Sequence, residues 1–167
     1  GFFASALPAK AGRIAIGRLA AHSAPELAAA VAKIVEFETL QSSRPQGRAL
    51  FVSDDKNARN GLGDPTFEQT SARLAAGLHD TGVDIRSLAL SASPDPRADL
   101  LEAVRGGVDL INFLGHGGVQ SWTSQGILTS SDAGALPNGP GSYFTVFSMT
   151  CFDGAFTYPY GDSLAWS

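Results

Sequence analysis

The chain has 167 residues, a formal net charge of −4 and 44% hydrophobic against 17% charged residues, a balance that supports a buried core and argues against disorder. Its 12 Lys and Arg are scattered rather than gathered into a basic stripe, which argues against nucleic acid as a partner. No apolar run approaches the ~18 residues of a spanning helix, and the opening GFFASALPAKAG lacks the basic and apolar regions of a signal peptide.

In chain order, RIAIGRL (13–19) is the first β-rich run. Ser23 and Glu26 then form an S-x-x-E capping box with Pro25 in the first turn, and Leu27, Val31, Ile34 and Val35 give the helix one apolar face. QSSRPQG (41–47) is the best candidate for a linker. RALFVS (48–53) follows and leads into Asp54 and Asp55. A second helix opens at Asp64-Pro65, carries Phe67, Leu74 and Leu78, and ends before Gly82. After DIRSLAL (84–90), a third opens at Asp95-Pro96, carries Leu100, Leu101 and Val104, and stops at Gly106-Gly107. VDLINFL (108–114) precedes a Gly/Ser/Thr-rich stretch over 117–141 with at most a short helix near 131–136, and SYFTVFSM (142–149) closes the series. The runs at 48–53, 108–114 and 142–149 are almost continuously apolar, as strands covered on both faces must be. The strand–helix–strand rhythm predicts an α/β fold with a mostly parallel sheet in three layers.

In such sheets ligands bind beyond the carboxyl ends of the strands. His116 follows the run 108–114 in LGHGGVQSW, Cys151 follows 142–149, and Asp54 and Asp55 follow 48–53. If these strands are neighbours, one edge holds a thiol, an imidazole and carboxylates, which are the parts of a nucleophile, a base and a base-orienting group. The N–H groups of Gly117 and Cys151 are the natural donors for an oxyanion. Plainer readings stand beside these. Cys151, the single cysteine, forms no internal disulfide and suits a buried packing position. His116 suits a turn, Asp54 and Asp55 suit turn caps, and Trp122 suits either packing or a pocket wall. His22 and His79 read as surface residues. No spacing of His or Cys fits zinc, and no carboxylate-rich loop fits calcium. GDSL (161–164) would make Ser163 a nucleophile, but its partner Asp and His should follow it and the preceding run is broken by Pro159. The HGG triplet has no G-x-S-x-G elbow to serve, and no phosphate-binding glycine motif is present.

INFLGHGGVQSW, followed by ILTSSDAGALPNGPGSYFTVFSMTCFDGAF, resembles the gingipain-like family of cysteine peptidases in the wider caspase/legumain clan. IAIGRLAAHSAPELAAAVAKIVEFE and LFVSDD are similar to that family too, so the likeness covers most of the chain. It implies a three-layer caspase-like fold and a cysteine endopeptidase acting on peptides or proteins through an acyl-thioenzyme, with no cofactor and no metal. Cys151 would be the nucleophile, His116 the catalytic histidine, Gly117 an oxyanion donor, and Asp55, or else Asp54, the group orienting His116. Trp122, Glu68, Met149 and Thr150 would contact substrate. The resemblance further implies an extracellular or cell-surface protein. Residues 1–47 would be the fringe of a preceding subdomain with a connecting helix, and 48–167 a catalytic subdomain truncated at its C-terminus, with further domains before and after. Arginine-specific relatives carry an acid early in the helix after VSDD, where this chain has Phe67 with Glu68 beside it. Trp166 stands where relatives have Glu. The reading from another class is a caspase-like module that binds a peptide or a partner domain without catalysis.

Overall fold

A computed structural model describes residues 17–41, 47–55, 65–137, 139 and 142–166. Four strands form one parallel sheet in the order β2-β1-β3-β6, with β1 Arg48–Ser53, β2 Asp84–Ala89, β3 Leu110–Leu114 and β6 Thr145–Met149. Central β1 is buried from Ala49 to Ser53. Its alternation divides the core: Ala49 and Phe51 pack with Ala75 on one face, while Leu50 and Val52 join Leu100, Val104, Ile111 and Phe113 on the other. Helix α2 (Pro65–Ala76) covers the first face, and α3 (Pro96–Arg105) the second. The expected three-layer, parallel α/β architecture is therefore present.

Each connection is held by local chemistry. Asp95 caps α3 by accepting from the Ala98 N–H at 3.0 Å. The helix stops at Gly106 and Gly107, and Gly107 adopts φ +88° where any Cβ would lie 2.5 Å from the Arg48 guanidinium. Arg48 in turn donates to the Gly106 carbonyl at 2.8 Å, so the glycine pair lets the helix end dock on the first residue of β1. Helix α2 ends at Ala76, earlier than the apolar spacing suggests, and the chain reaches Gly82 through a short 3₁₀ turn at His79–Thr81.

The stretch 117–141 contains a two-stranded antiparallel hairpin, β4 (Ser121–Trp122) and β5 (Leu128–Thr129), that composition did not reveal. The short helix α4 (Ser130–Ala133) follows, slightly ahead of its expected position, with Thr129 and Asp132 forming a reciprocal capping box. No regular strand occurs over 17–21, and 13–16 of the first expected strand lie outside the described residues, as do Asp64 and 42–46 of the expected linker. Helix α1 (Ala24–Gln41) forms as expected, and the Ser23 hydroxyl accepts from the Glu26 N–H at 3.4 Å as in a capping box, but the Glu26 carboxylate accepts from the His22 N–H rather than from that of Ser23. Its apolar residues Leu27, Val31, Ile34 and Val35 remain between 42% and 57% exposed. The ties of α1 run instead to the segment before β6, where the Tyr143 hydroxyl donates to Glu36 at 2.7 Å and Lys33 lies over the Tyr143 ring.

Candidate active site

β3 and β6 are adjacent and parallel, with Leu114 paired to Met149. His116 and Cys151 each lie two residues beyond that pair, so both leave the same edge of the sheet. The ladder continues past the strands, since the Gly115 N–H donates to the Met149 carbonyl at 3.4 Å and the Asp54 N–H to the Leu114 carbonyl at 2.9 Å. Cys151 is exposed and His116 half-buried. Of the two readings of the lone cysteine, inward packing is therefore the one this position rejects.

Each glycine around His116 answers to a different neighbour. A Cβ on Gly115 would lie 2.5 Å from the Asp54 Cβ and 2.8 Å from the Phe113 ring. A Cβ on Gly117 would fall under 3.0 Å from Thr150 Oγ1 and within 3.2 Å of the Cys151 carbonyl oxygen. Removing both side chains lets the histidine loop lie directly on the carboxylate and on the cysteine loop. Among the described residues, neither the Gly117 nor the Cys151 N–H donates to a protein acceptor.

Asp54 is buried, and both its oxygens are committed to backbone: Oδ2 accepts from the His116 N–H at 3.0 Å and Oδ1 from the Asp55 N–H at 2.8 Å. It fixes the His116 main chain rather than its ring. Asp55 is half-buried at the same edge. From α2, the Phe67 ring meets the His116 imidazole edge-on at 5.2 Å. The Glu68 carboxylate accepts from the Ser91 hydroxyl beyond the end of β2. Met149 is exposed beside Cys151, and Thr150 is half-buried with its buried hydroxyl unpartnered.

Trp122 is 2% exposed and stacks on Phe113 with ring centroids 4.3 Å apart, so most of it is packing, and it also borders a cavity lined by Leu128, Ser148, Asp153 and Leu164. Its indole N–H donates to Asp153 Oδ2 at 3.3 Å. Asp153, which sequence reasoning did not single out, also accepts from the Ser148 hydroxyl. A signal was available: a buried tryptophan needs an acceptor for its N–H, and an acid stands two positions past the cysteine. Between them Phe152 adopts φ +62°, and the Asp153 N–H donates back to the Cys151 carbonyl at 2.9 Å. A non-glycine residue in this conformation costs on the order of 1–3 kcal/mol and persists only where its surroundings impose it.

The remaining histidines and the GDSL tetrapeptide lie elsewhere. His22 stacks on Trp166 at 3.8 Å and pairs with Asp162 at 3.1 Å, joining the start of α1 to the 161–166 segment. His79 is exposed in the 3₁₀ turn. Ser163 is 2% exposed and hydrogen-bonded, which leaves it no access to a substrate. Among the described residues no cluster of three His, Cys, Asp or Glu could hold a metal ion.

Comparison with solved structures aligns 87% of the chain with 34% of the Arg-specific cysteine proteinase gingipain R, at a TM-score of 0.65 and 19% identity. That likeness shows the caspase-like fold, and the chain spans about a third of that protein's length. Comparison with curated proteins returned no significant match. The sequence profile of Peptidase family C25 matches residues 2–167, and on that match the chain belongs to Peptidase family C25.

Proposed function

We propose that this chain carries the catalytic centre of a cysteine endopeptidase. The observation that supports it most directly is the parallel β3–β6 pairing, which brings the residues after Leu114 and Met149 to one edge with Gly117 lying against Thr150 and Cys151. The Cys151 thiolate attacks the scissile carbonyl carbon, and the N–H groups of Gly117 and Cys151 stabilise the oxyanion. As the C–N bond breaks, His116 gives its proton to the leaving amine, leaving an acyl-thioester. His116 then takes a proton from water as the hydroxyl adds to the acyl carbon, and the C–S bond breaks to return the thiolate. Asp55 orients the imidazole, while Asp54 holds the loop that carries it.

Phe67 beside His116 and exposed Met149 beside Cys151 offer apolar surface to a substrate side chain, with Thr150 at the loop start. Glu68, engaged by Ser91, is the acidic group nearest that wall on α2. Kinship with the family carries the extracellular or cell-surface location, and among the described residues no helix is long and apolar enough to cross a membrane. The exposed apolar residues of α1 and β6 support further packing against preceding and following domains of a longer chain.

Cys151→Ala in the full-length protein should abolish peptide-library cleavage while circular dichroism stays unchanged. Cleavage retained by that variant would refute the mechanism.

A further inference from the structure

We infer that Asp153 is the positioning residue that clasps the nucleophile loop to the histidine loop, an inference that rests on the Cys–His reading above. Four bonds converge on this one residue. Its carboxylate accepts from the Trp122 indole N–H at 3.3 Å and from the Ser148 hydroxyl of β6. Its N–H donates to the Cys151 carbonyl, and its own carbonyl accepts from the Ala165 N–H, both at 2.9 Å.

The route to the histidine is short. Trp122 pairs with Gly117 across an isolated antiparallel bridge, and the Thr123 N–H donates to the His116 carbonyl at 2.8 Å. Moving Trp122 therefore moves the backbone that leads out of His116. On the other branch, the Asp153 N–H closes the tight turn over Phe152 and so fixes the carbonyl of the nucleophile's own residue. Phe152 is 70% exposed, so burial of its ring does not hold the turn at positive φ. The bonds made by Asp153 do. Asp153 thus links the two backbone segments whose N–H groups face the oxyanion, without itself touching the reacting atoms.

The test measures Cys151 itself, by mass spectrometry of its peptide after timed iodoacetamide labelling of the full-length protein across pH 5–9. Azocasein hydrolysis is followed in parallel. Asp153→Ala should slow labelling at neutral pH about tenfold, move its pH profile, and lower kcat with little change in KM. Asp153→Asn, which keeps the shape and one acceptor oxygen, should fall between. Trp122→Phe should reproduce the Asp153→Ala profile, and the double variant should be no worse than either single one. An unchanged labelling profile in Asp153→Ala and Asp153→Asn, or losses that multiply in the double variant, would overturn the clasp. Failure of the wild type to cleave azocasein counts against the peptidase reading alone, because the labelling profiles still decide the role of Asp153.

Discussion

Gly117→Ala is the sharpest test of how the site is assembled. The added methyl would stand under 3.0 Å from Thr150 Oγ1 and 3.1 Å from its Cγ2, whereas ordinary contact begins at 3.4 Å. Threonine is β-branched and stiff at χ1, so it cannot simply swing away. The two loops must separate, by on the order of 1 Å, and a misplacement of that size costs roughly 10²-fold in rate. Overpacking of this kind also costs about 1–3 kcal/mol of stability. The assay is kcat/KM on a peptide substrate, with thermal unfolding as the measure of stability. Gly118→Ala is the control, because a Cβ there meets nothing within 4 Å. Thr150→Ala should restore much of the lost activity in the Gly117→Ala background by removing the two side-chain atoms that crowd the methyl and leaving only the Cys151 carbonyl oxygen at 3.2 Å. Equal activity in Gly117→Ala and Gly118→Ala would refute the reasoning, since the close approach of the loops would then have no catalytic consequence.

Two further outcomes follow from named contacts. Asp54→Ala leaves the His116 and Asp55 N–H groups without their acceptor and should cost about 1–3 kcal/mol by chemical denaturation, with activity falling through the displaced His116 loop. Full stability and activity in that variant would show that water replaces the carboxylate. The Glu36 carboxylate accepts from Tyr143 and, with its charge nearby, holds the phenol above its ordinary value of 10.0. The neutral phenol's contribution to folding is thus fully present below pH 10 and is lost as pH rises through the folded-state value. Ultraviolet titration should place Tyr143 above 10, and Glu36→Gln should bring it back down; no movement in that variant would disprove the coupling.

The legible part of this protein was the part governed by local rules. The apolar runs at 48–53 and 108–114 became buried strands because their residues face core on both sides, and the Asp95 cap and the Gly106-Gly107 stop act within a few residues of α3. Trp122 and Asp153 were harder to place because their meaning is a contact between the hairpin and the loop after β6. Composition over 117–141 showed only turn formers, while the β4–β5 pairing depends on Gln120 and Trp122 carbonyls reaching Ser130 and Ile127. The apolar stripe of α1 signalled a helix correctly, but periodicity records which face is apolar and not what covers it. Four of its residues are exposed among the described residues for that reason.

The Gly-His-Gly triplet shows how a local pattern can encode a distant geometry. Its two glycines are not interchangeable relaxations of the backbone. Gly115 is required by Asp54 from the end of β1, and Gly117 by Thr150 from the end of β6. His116 is thereby held just past the end of β3, with its own N–H bonded to a carboxylate and the following glycine pressed to the Cys151 loop. A turn glycine needed only for positive φ would tolerate none of this crowding, and neither Gly115 nor Gly117 has positive φ. The demand is for closeness rather than for an unusual dihedral. That is why the triplet on its own carried little information and the pairing of β3 with both β1 and β6 carries most of it: without β1 beside it Gly115 would have no reason, and without β6 neither would Gly117.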